Sequence, residues 1–365
     1  MIRVSTISAL IATAAISGAG ARSALAQAPE TAATGISRRQ AVDEAVARNP
    51  GIAAAREQVE QARARVNEAM AFPDPSFVST LEQQESLLKP RTAQSQDYGF
   101  SFTLPFPDKP YLRGEVARGD LHSAEANLTK LKQQIASQAF TAYDALLVAL
   151  RHRDDLSQNL TLAQDFLKRT DARFQAGTVP RFDVIKAKVD VAQAENDLIA
   201  NQRSIVVARA GLNRLLGRSQ GAPLEVSEAL EAPAPSAPFE VLQKLAEASR
   251  PELQGLAALQ KGAGTNTVLV GQYWLPDFNV FVARNFTFGF APAYSSALTF
   301  SIPLLFWQHE NGEVAESRHR ELELAGTYAD TLAQVDLDVR TAWAAATTTL
   351  RQVIFIRDSL LPEAQ

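Results

Sequence analysis

Apolar residues recur at alternating three- and four-residue intervals along two long stretches, Tyr111 to Phe174 and Pro180 to Leu216. The second carries them at Val184, Ala187, Val191, Ala194, Leu198, Ile205, Ala208, Leu212 and Leu215, with Asn201 the one polar interruption. The first runs Leu121, Ala124, Leu128, Leu131, Ile135, Ala142, Ala149, Leu156, Leu160, Ala163, Leu167 and Phe174. A 3.5-residue period is the seam of a coiled coil, so the two stretches are predicted to pair as an antiparallel helical hairpin. Its turn is Gln175 to Val179. Gly177 can take the left-handed conformation that ends the first arm, Pro180 suits the first position of the second, and Asp183 falls in that helix's first turn. A second apolar line, Ile185, Val189, Ala192, Ile199 and Val206, lies beside the main seam, which predicts a helix with two neighbours.

The period then changes. From Asp97 to Leu104, Tyr98, Phe100, Phe102 and Leu104 alternate with Gly99, Ser101 and Thr103, the pattern of a strand with one apolar and one small polar face. Ser76 to Gln83 alternates less cleanly and gives a second strand. Upstream, Ser37 to Gln40 has capping-box spacing, Asn49-Pro50 breaks a short helix, and Ile52, Val59, Ala62 and Val66 define a longer one. The same order then returns about 200 positions later. Ser249-Arg250-Pro251 answers Arg48-Asn49-Pro50, and Leu298 to Pro303 answers Phe100 to Pro105. Gly114-Glu115-Val116-Ala117 recurs identically from Gly312, and Thr341-Ala342-Trp343 matches Thr141-Ala142-Tyr143. A steady offset across helices and strands is internal duplication. In the second copy Tyr294, Leu298, Phe300 and Ile302 oppose Thr299 and Ser301, while Phe278, Val280 and Val282 make another strand. Gly255, Gly262 and Gly264 weaken the prediction of that copy's first long helix, at about 1 kcal/mol each against Ala. The fold class is mainly α with a small β part: duplicated long antiparallel coiled-coil helices and four strands of transmembrane length per subunit.

Composition narrows the functional classes. In 365 residues with a formal charge of −4 there is no basic surplus to attract nucleic acid, and no Cys to form a disulfide or thiolate metal site. Met1-Ile2-Arg3, an apolar run and Ala24-Leu25-Ala26 have the layout of a signal peptide. The expected organisation is therefore residues 1–26 as signal peptide, 27–218 as first repeat, 219–238 as a Pro-rich linker and 239–365 as second repeat. Catalytic and cofactor motifs such as GxSxG, HExxH or a phosphate-binding Gly loop do not occur, and the four His are dispersed, so neither an enzyme nor a metal site is expected.

The duplicated helix, strand, strand, helix, helix order, the Asn49-Pro50 break, Leu275-Pro276-Asp277 ahead of a strand, and Phe174-Gln175-Ala176-Gly177 followed by Asp183 together resemble the TolC family of outer-membrane efflux and secretion channels. The resemblance runs from Ile36 onward. It implies a homotrimer in which each subunit gives four strands to one outer-membrane barrel and its helices to a periplasmic tunnel. It also implies docking to a periplasmic adaptor protein and, through it, to an inner-membrane pump. On that basis the adaptor-contacting tip is expected at Gly177, Thr178, Val179, Arg181, Phe182 and Asp183. Tyr98, Phe100, Phe102, Leu298, Phe300 and Ile302 are expected to face lipid, and Ser101, Thr103, Thr299 and Ser301 the lumen. Four strands are too few to close a barrel, which independently asks for several copies. Exported metal ions or drugs are the expected cargo, the compact tip resembling the metal-efflux branch. A type I protein-secretion channel and a periplasmic coiled-coil scaffold without transport are the alternatives. Projecting the first copy's pattern onto the second leads to the expectation that the second lacks its tip and returning helix, leaving the stripe from Val314 to Leu360 without its partner.

Overall fold

The computed structural model of the protein describes residues 35–82, 93–228 and 237–364; the expected signal peptide, the loop around Leu87 to Thr92 and the central part of the expected linker lie outside them. Helix α1 (Arg38–Arg48) opens with the capping box that the spacing predicts, Ser37 and Gln40 each satisfying the other's backbone N–H. Asn49 closes α1 and caps α2 (Pro50–Met70): its Oδ1 accepts from the Gly51 N–H at 2.9 Å. Its Nδ2 donates to the Leu215 carbonyl at 3.0 Å, tying the break to a distant helix end. Strands β1 (Ser76–Glu82) and β2 (Ser95–Leu104) follow, then the 68-residue helix α3 (Asp108–Gln175) and the 35-residue α4 (Arg181–Leu215). The second copy repeats the plan with α5 (Phe239–Ser249), α6 (Pro251–Gly271), β3 (Phe278–Thr287) and β4 (Ala293–Phe300). A short α7 (Phe306–His309) and a π-helical turn then lead into α8 (Ala315–Phe355).

At 1.5 Å per residue α3 is about 100 Å long and α4 about half that. The predicted seam pairs them over the distal half of α3: Val184, Ala187, Asn201, Ile205, Leu212 and Leu215 are buried. Asn201 is not a defect there, since its Nδ2 donates to the Ala149 carbonyl at 3.1 Å. The proximal half of α3 instead packs against α2 and α6. Here the glycines find their reason. A Cβ on Gly119 of α3 would stand 2.9 Å from the Ala258 carbonyl oxygen and 3.1 Å from the Gly262 Cα, so the bare backbones let the two helices approach. What Gly262 costs in helix propensity is offset by this contact, and α6 is continuous for 21 residues, the same length as α2.

The core lies where α1, α3 and the end of α4 meet, around Ala41, Ala45, Tyr143, Leu146, Leu212 and Leu216. Tyr143 is fully buried; its hydroxyl donates to the Ile36 carbonyl at 3.0 Å and accepts from the Ser227 N–H at 3.3 Å. Leu224 is buried against this core and Val226 bridges Ile36, so the first part of the expected linker is packed. Corresponding positions of the two copies keep one interaction with the roles exchanged. In the first, Arg38 of α1 sits 4.9 Å from the centre of the Phe140 ring of α3; in the second, Arg340 of α8 sits 4.7 Å from that of Phe239 in α5.

The four strands form one antiparallel meander, β1-β2-β3-β4. Its middle ladder joins the copies, running from Ser95 opposite Thr287 to Leu104 opposite Phe278. One expectation is corrected here: β4 ends at Phe300, so Ser301 and Ile302 lie past the strand. Phe300 pairs with Phe278, the first residue of β3, and residues 301 and 302 have no backbone left to pair with. Pro180 is a smaller correction. It occupies the position before the first helical residue of α4, with extended angles of φ −71° and ψ 156°.

Candidate functional site

Alternation along each strand sorts the sheet into two faces, and the register aligns them. Phe77, Tyr98, Phe100, Phe102, Val282, Leu298 and Phe300 share one face and are exposed. They lie against one another rather than under other elements, Phe77 with Phe100 at 5.6 Å and Phe278 with Phe300 at 6.0 Å between ring centres. The opposite face is a hydrogen-bonded polar lattice. Ser101 donates to Asn279 Oδ1 at 2.9 Å, and Asn279 Nδ2 to Thr103 at 3.3 Å. Nearer the other end of the strands Asn285 donates to Ser95 at 3.0 Å and to Asp97, and accepts from Thr287 at 2.6 Å. Thr299 pairs with Asn279 in register and so shares this face. The structure thus groups Ser101, Thr103 and Thr299 on one side and the five apolar residues from Tyr98 to Phe300 on the other; Ser301 and Ile302 are the two expected members outside the sheet. Asn279 lies on the polar face, opposite Phe278, Val280 and Val282 as the alternation places it, and so do Asn285, Thr287, Ser95 and Asp97, which the alternation does not reveal. Phe281 on that face and Arg284 on the apolar one break the alternation of β3 that would have revealed them.

Gly99 sits at the tightest point of the polar face. A Cβ there would come within 2.4 Å of the Val282 carbonyl oxygen and 2.5 Å of the Ala283 Cβ, so β2 and β3 can run at this spacing only with Gly in place. At the helix end of the sheet, Asp277 Oδ1 accepts from the Phe106 N–H at 3.0 Å and from Lys109 Nζ at 3.0 Å, and Lys109 also donates to the Leu275 carbonyl at 2.7 Å. This clamp fastens the start of α3 in the first copy to the start of β3 in the second. It explains the Pro276-Asp277 pair that the sequence singled out.

The other end of the molecule is the turn after α3. Gly177 has φ +75°, its N–H bonds to the Phe174 carbonyl at 2.9 Å and the Thr178 N–H to the Arg173 carbonyl at 3.0 Å, the Schellman pattern expected of a glycine stop. Thr178 Oγ1 donates to that same carbonyl at 2.9 Å, so the turn is rigidly closed. Rigidity here comes without cover: Phe182 is 70% exposed, Gly177 and Arg181 are exposed, and Val179 and Asp183 are half-buried. The six expected tip residues therefore sit together on one blunt, partly apolar end. Gly217 ends α4 by the same pattern at φ +69°. There Arg218 binds Glu44 of α1 with contacts of 2.8 and 2.5 Å. The Arg218 hydrogen bonds hold the Glu44 carboxyl below the usual range, against the opposing effect of burial.

Among the described residues no group of three His, Cys, Asp or Glu is arranged to hold a metal ion, and no helix is long and apolar enough to cross a membrane. Residues 41–218 match the model of the family described as outer membrane efflux protein. The cobalt-zinc-cadmium resistance protein CzcC of Cupriavidus metallidurans is 26% identical over 238 residues, covering 63% of this chain; the chain spans 56% of that relative's length. Among solved structures, a membrane protein from Pseudomonas aeruginosa shares the fold with a TM-score of 0.73 at 18% identity, over 88% of this chain and 78% of its own. The outer-membrane channel OprN does so at 0.72 and 17%, over 90% and 78%. VceC of Vibrio cholerae does so at 0.65 and 16%, over 89% and 80%. The first copy thus matches the outer membrane efflux protein family over residues 41–218, and both copies share the fold of the solved outer-membrane proteins.

Proposed function

We propose that this chain is one subunit of a trimeric outer-membrane channel that exports small toxic solutes, divalent metal cations foremost, as the outlet of a tripartite efflux system. The observation that carries the reading is the two-faced sheet. An exposed apolar face suits lipid, a hydrogen-bonded polar face suits a water-filled lumen, and β1 and β4 are left as open edges. Such edges are a liability unless another chain pairs with them, and twelve strands from three copies would close a barrel. Ile185, Val189, Ile199 and Val206, each more than half exposed, are the second stripe that a neighbouring copy would cover. Residues 1–26 would direct export and be removed. The blunt tip would dock on the helical hairpin of a periplasmic adaptor, and through it on an inner-membrane pump. Metal cargo rests on the similarity to the cobalt-zinc-cadmium resistance protein.

Purified protein in a planar bilayer should give discrete conductance steps, and cross-linking in detergent should stop at three chains. A strain lacking the gene should become sensitive to cobalt, zinc and cadmium salts. A monomer that partitions with soluble proteins and leaves bilayers silent would overturn the channel. Sensitivity to apolar drugs with unchanged metal tolerance would reassign the cargo alone.

A further inference from the structure

The apolar face of the sheet carries one charge, Arg284, and its surroundings are specific. Register places it between Tyr98 on β2 and Tyr294 on β4. Its guanidinium lies 5.3 Å from the centre of the Phe286 ring and 5.8 Å from that of Tyr294, with Tyr98 edge-on to Phe286 at 6.1 Å. Among the described residues no carboxylate pairs with it. The rings flank the ion, and among the described residues its N–H fork has no hydrogen-bond partner. That fork is the geometry for bidentate binding of a phosphate.

Position decides what could supply the phosphate. Arg in the middle of a lipid-facing strand is strongly unfavourable and near a membrane surface almost neutral, so Arg284 marks the level of a surface. Tyrosines beside it fit the same level, being enriched where membrane meets water. The helices join the sheet at Leu104 and Phe278, where exposed Trp274, Phe306 and Trp307 make a separate aromatic rim. Arg284 stands six residues further along β3, about 20 Å from that rim, toward the turn at Gly289. If the helices lie in the periplasm, this is the outer leaflet.

We propose that Arg284, framed by Tyr98, Phe286 and Tyr294, binds the phosphate of a phosphorylated glycolipid headgroup in the outer leaflet. The inference rests on the reading of the apolar face as lipid-facing. The test uses the full chain reconstituted in phosphatidylethanolamine vesicles containing either diphosphorylated lipid A or the same lipid with its phosphates removed, with co-purified lipid counted by mass spectrometry. Wild-type protein should retain the phosphorylated form at least roughly tenfold more strongly, the equivalent of one charge-assisted hydrogen bond. Arg284→Gln should lose that preference, Arg284→Lys should keep part of it, and inorganic phosphate should not compete. Equal retention of the two lipids by wild type, or an unchanged preference in Arg284→Gln, overturns the proposal. The wild-type comparison decides even if the variants fail to fold. A nitroxide attached through Phe100→Cys, in a chain without native Cys, separates the underlying reading. Contact with water there would sink the lipid face itself, whereas contact with lipid and no phosphate preference would sink only the Arg284 site.

Discussion

Replacing Phe100 by Arg puts a charge near the centre of the sheet's apolar face, midway along β2 and opposite Phe77 and Val282. Two terms add. The edge-on contact with Phe77 at 5.6 Å is lost, at about 0.5–1.5 kcal/mol. If the face meets lipid, a guanidinium near mid-bilayer costs about 2–4 kcal/mol more, whereas in water this second term is absent. Ser101→Arg is the internal control: one residue along, it points to the polar face and gives up one hydrogen bond to Asn279, at about 1 kcal/mol. The difference of about 3 kcal/mol per chain corresponds to about 150-fold in the folding equilibrium, and three chains in one barrel would multiply the penalty. Urea titration of vesicle-inserted protein, followed by resistance of the assembled band to detergent on a gel, measures it. Phe100→Arg should fail to insert while Ser101→Arg inserts with altered conductance. Equal insertion by both, or equal failure, would refute the assignment of faces.

Gly177→Trp should leave insertion and assembly intact but abolish export and adaptor pull-down, because nothing lies within 4 Å of a Cβ at Gly177 inside the chain while its φ of +75° is strained for any other residue; normal export would remove the tip from the docking site. Glu44 should make stability pH-dependent: its carboxyl is held below the usual range, so its contribution is full above the unfolded-state value and is lost as pH falls through the folded one. Thermal unfolding of Glu44→Gln should show a loss of about 1–2 kcal/mol at neutral pH that disappears in acid, and a pH-independent difference would contradict the ion-pair account. Gly119→Ala should destabilise by about 1–3 kcal/mol through its clash with the Ala258 carbonyl, whereas Gly211→Ala, with open space around it, should stabilise α4 by about 1 kcal/mol. Denaturant midpoints of the same sign would show that helix propensity, not the α3–α6 approach, governs both.

What the sequence revealed, and what it hid, follows from how local each determinant is. The seams of α3 and α4 and the glycine stop at Gly177 depend on residues within a turn or two, and the pattern alone located them. The end of β4 depends on where β3 starts, which the Asp277 clamp to Phe106 and Lys109 sets from more than 160 positions away, so Ser301 and Ile302 read as strand. Gly255 and Gly262 read as weakness because propensity is counted within one helix. Their compensation lies in α3, where Ala126 and Gly119 meet them. The polar lattice of β3 is obscured by Phe281 and Arg284, one apolar residue on the polar face and one charged residue on the apolar face.

Duplication accounts for a feature that a single copy could not support, a helix twice the length of its hairpin partner. The 35 residues of α4 can cover only the distal half of the 68 in α3, and a bare proximal half would leave its apolar stripe in water. That half is covered from both copies at once, by α2 of the first and α6 of the second. The covering is possible because the approach is lined by Gly119 and Gly262. The same half leads directly into β2 through the Lys109–Asp277 clamp, so the sheet's middle ladder and the helical packing below it are two consequences of one junction between copies. The exchange of Arg and Phe between α1–α3 and α5–α8 fits this arrangement. Each short helix must be pinned to its long one by a contact that survives exposure, and a cation against a ring does so whichever helix supplies the cation. What neither copy covers is the second stripe along α4 and the two outer strands. Among the described residues these surfaces lack cover, and they are the ones that the neighbouring copies of the proposed trimer would meet.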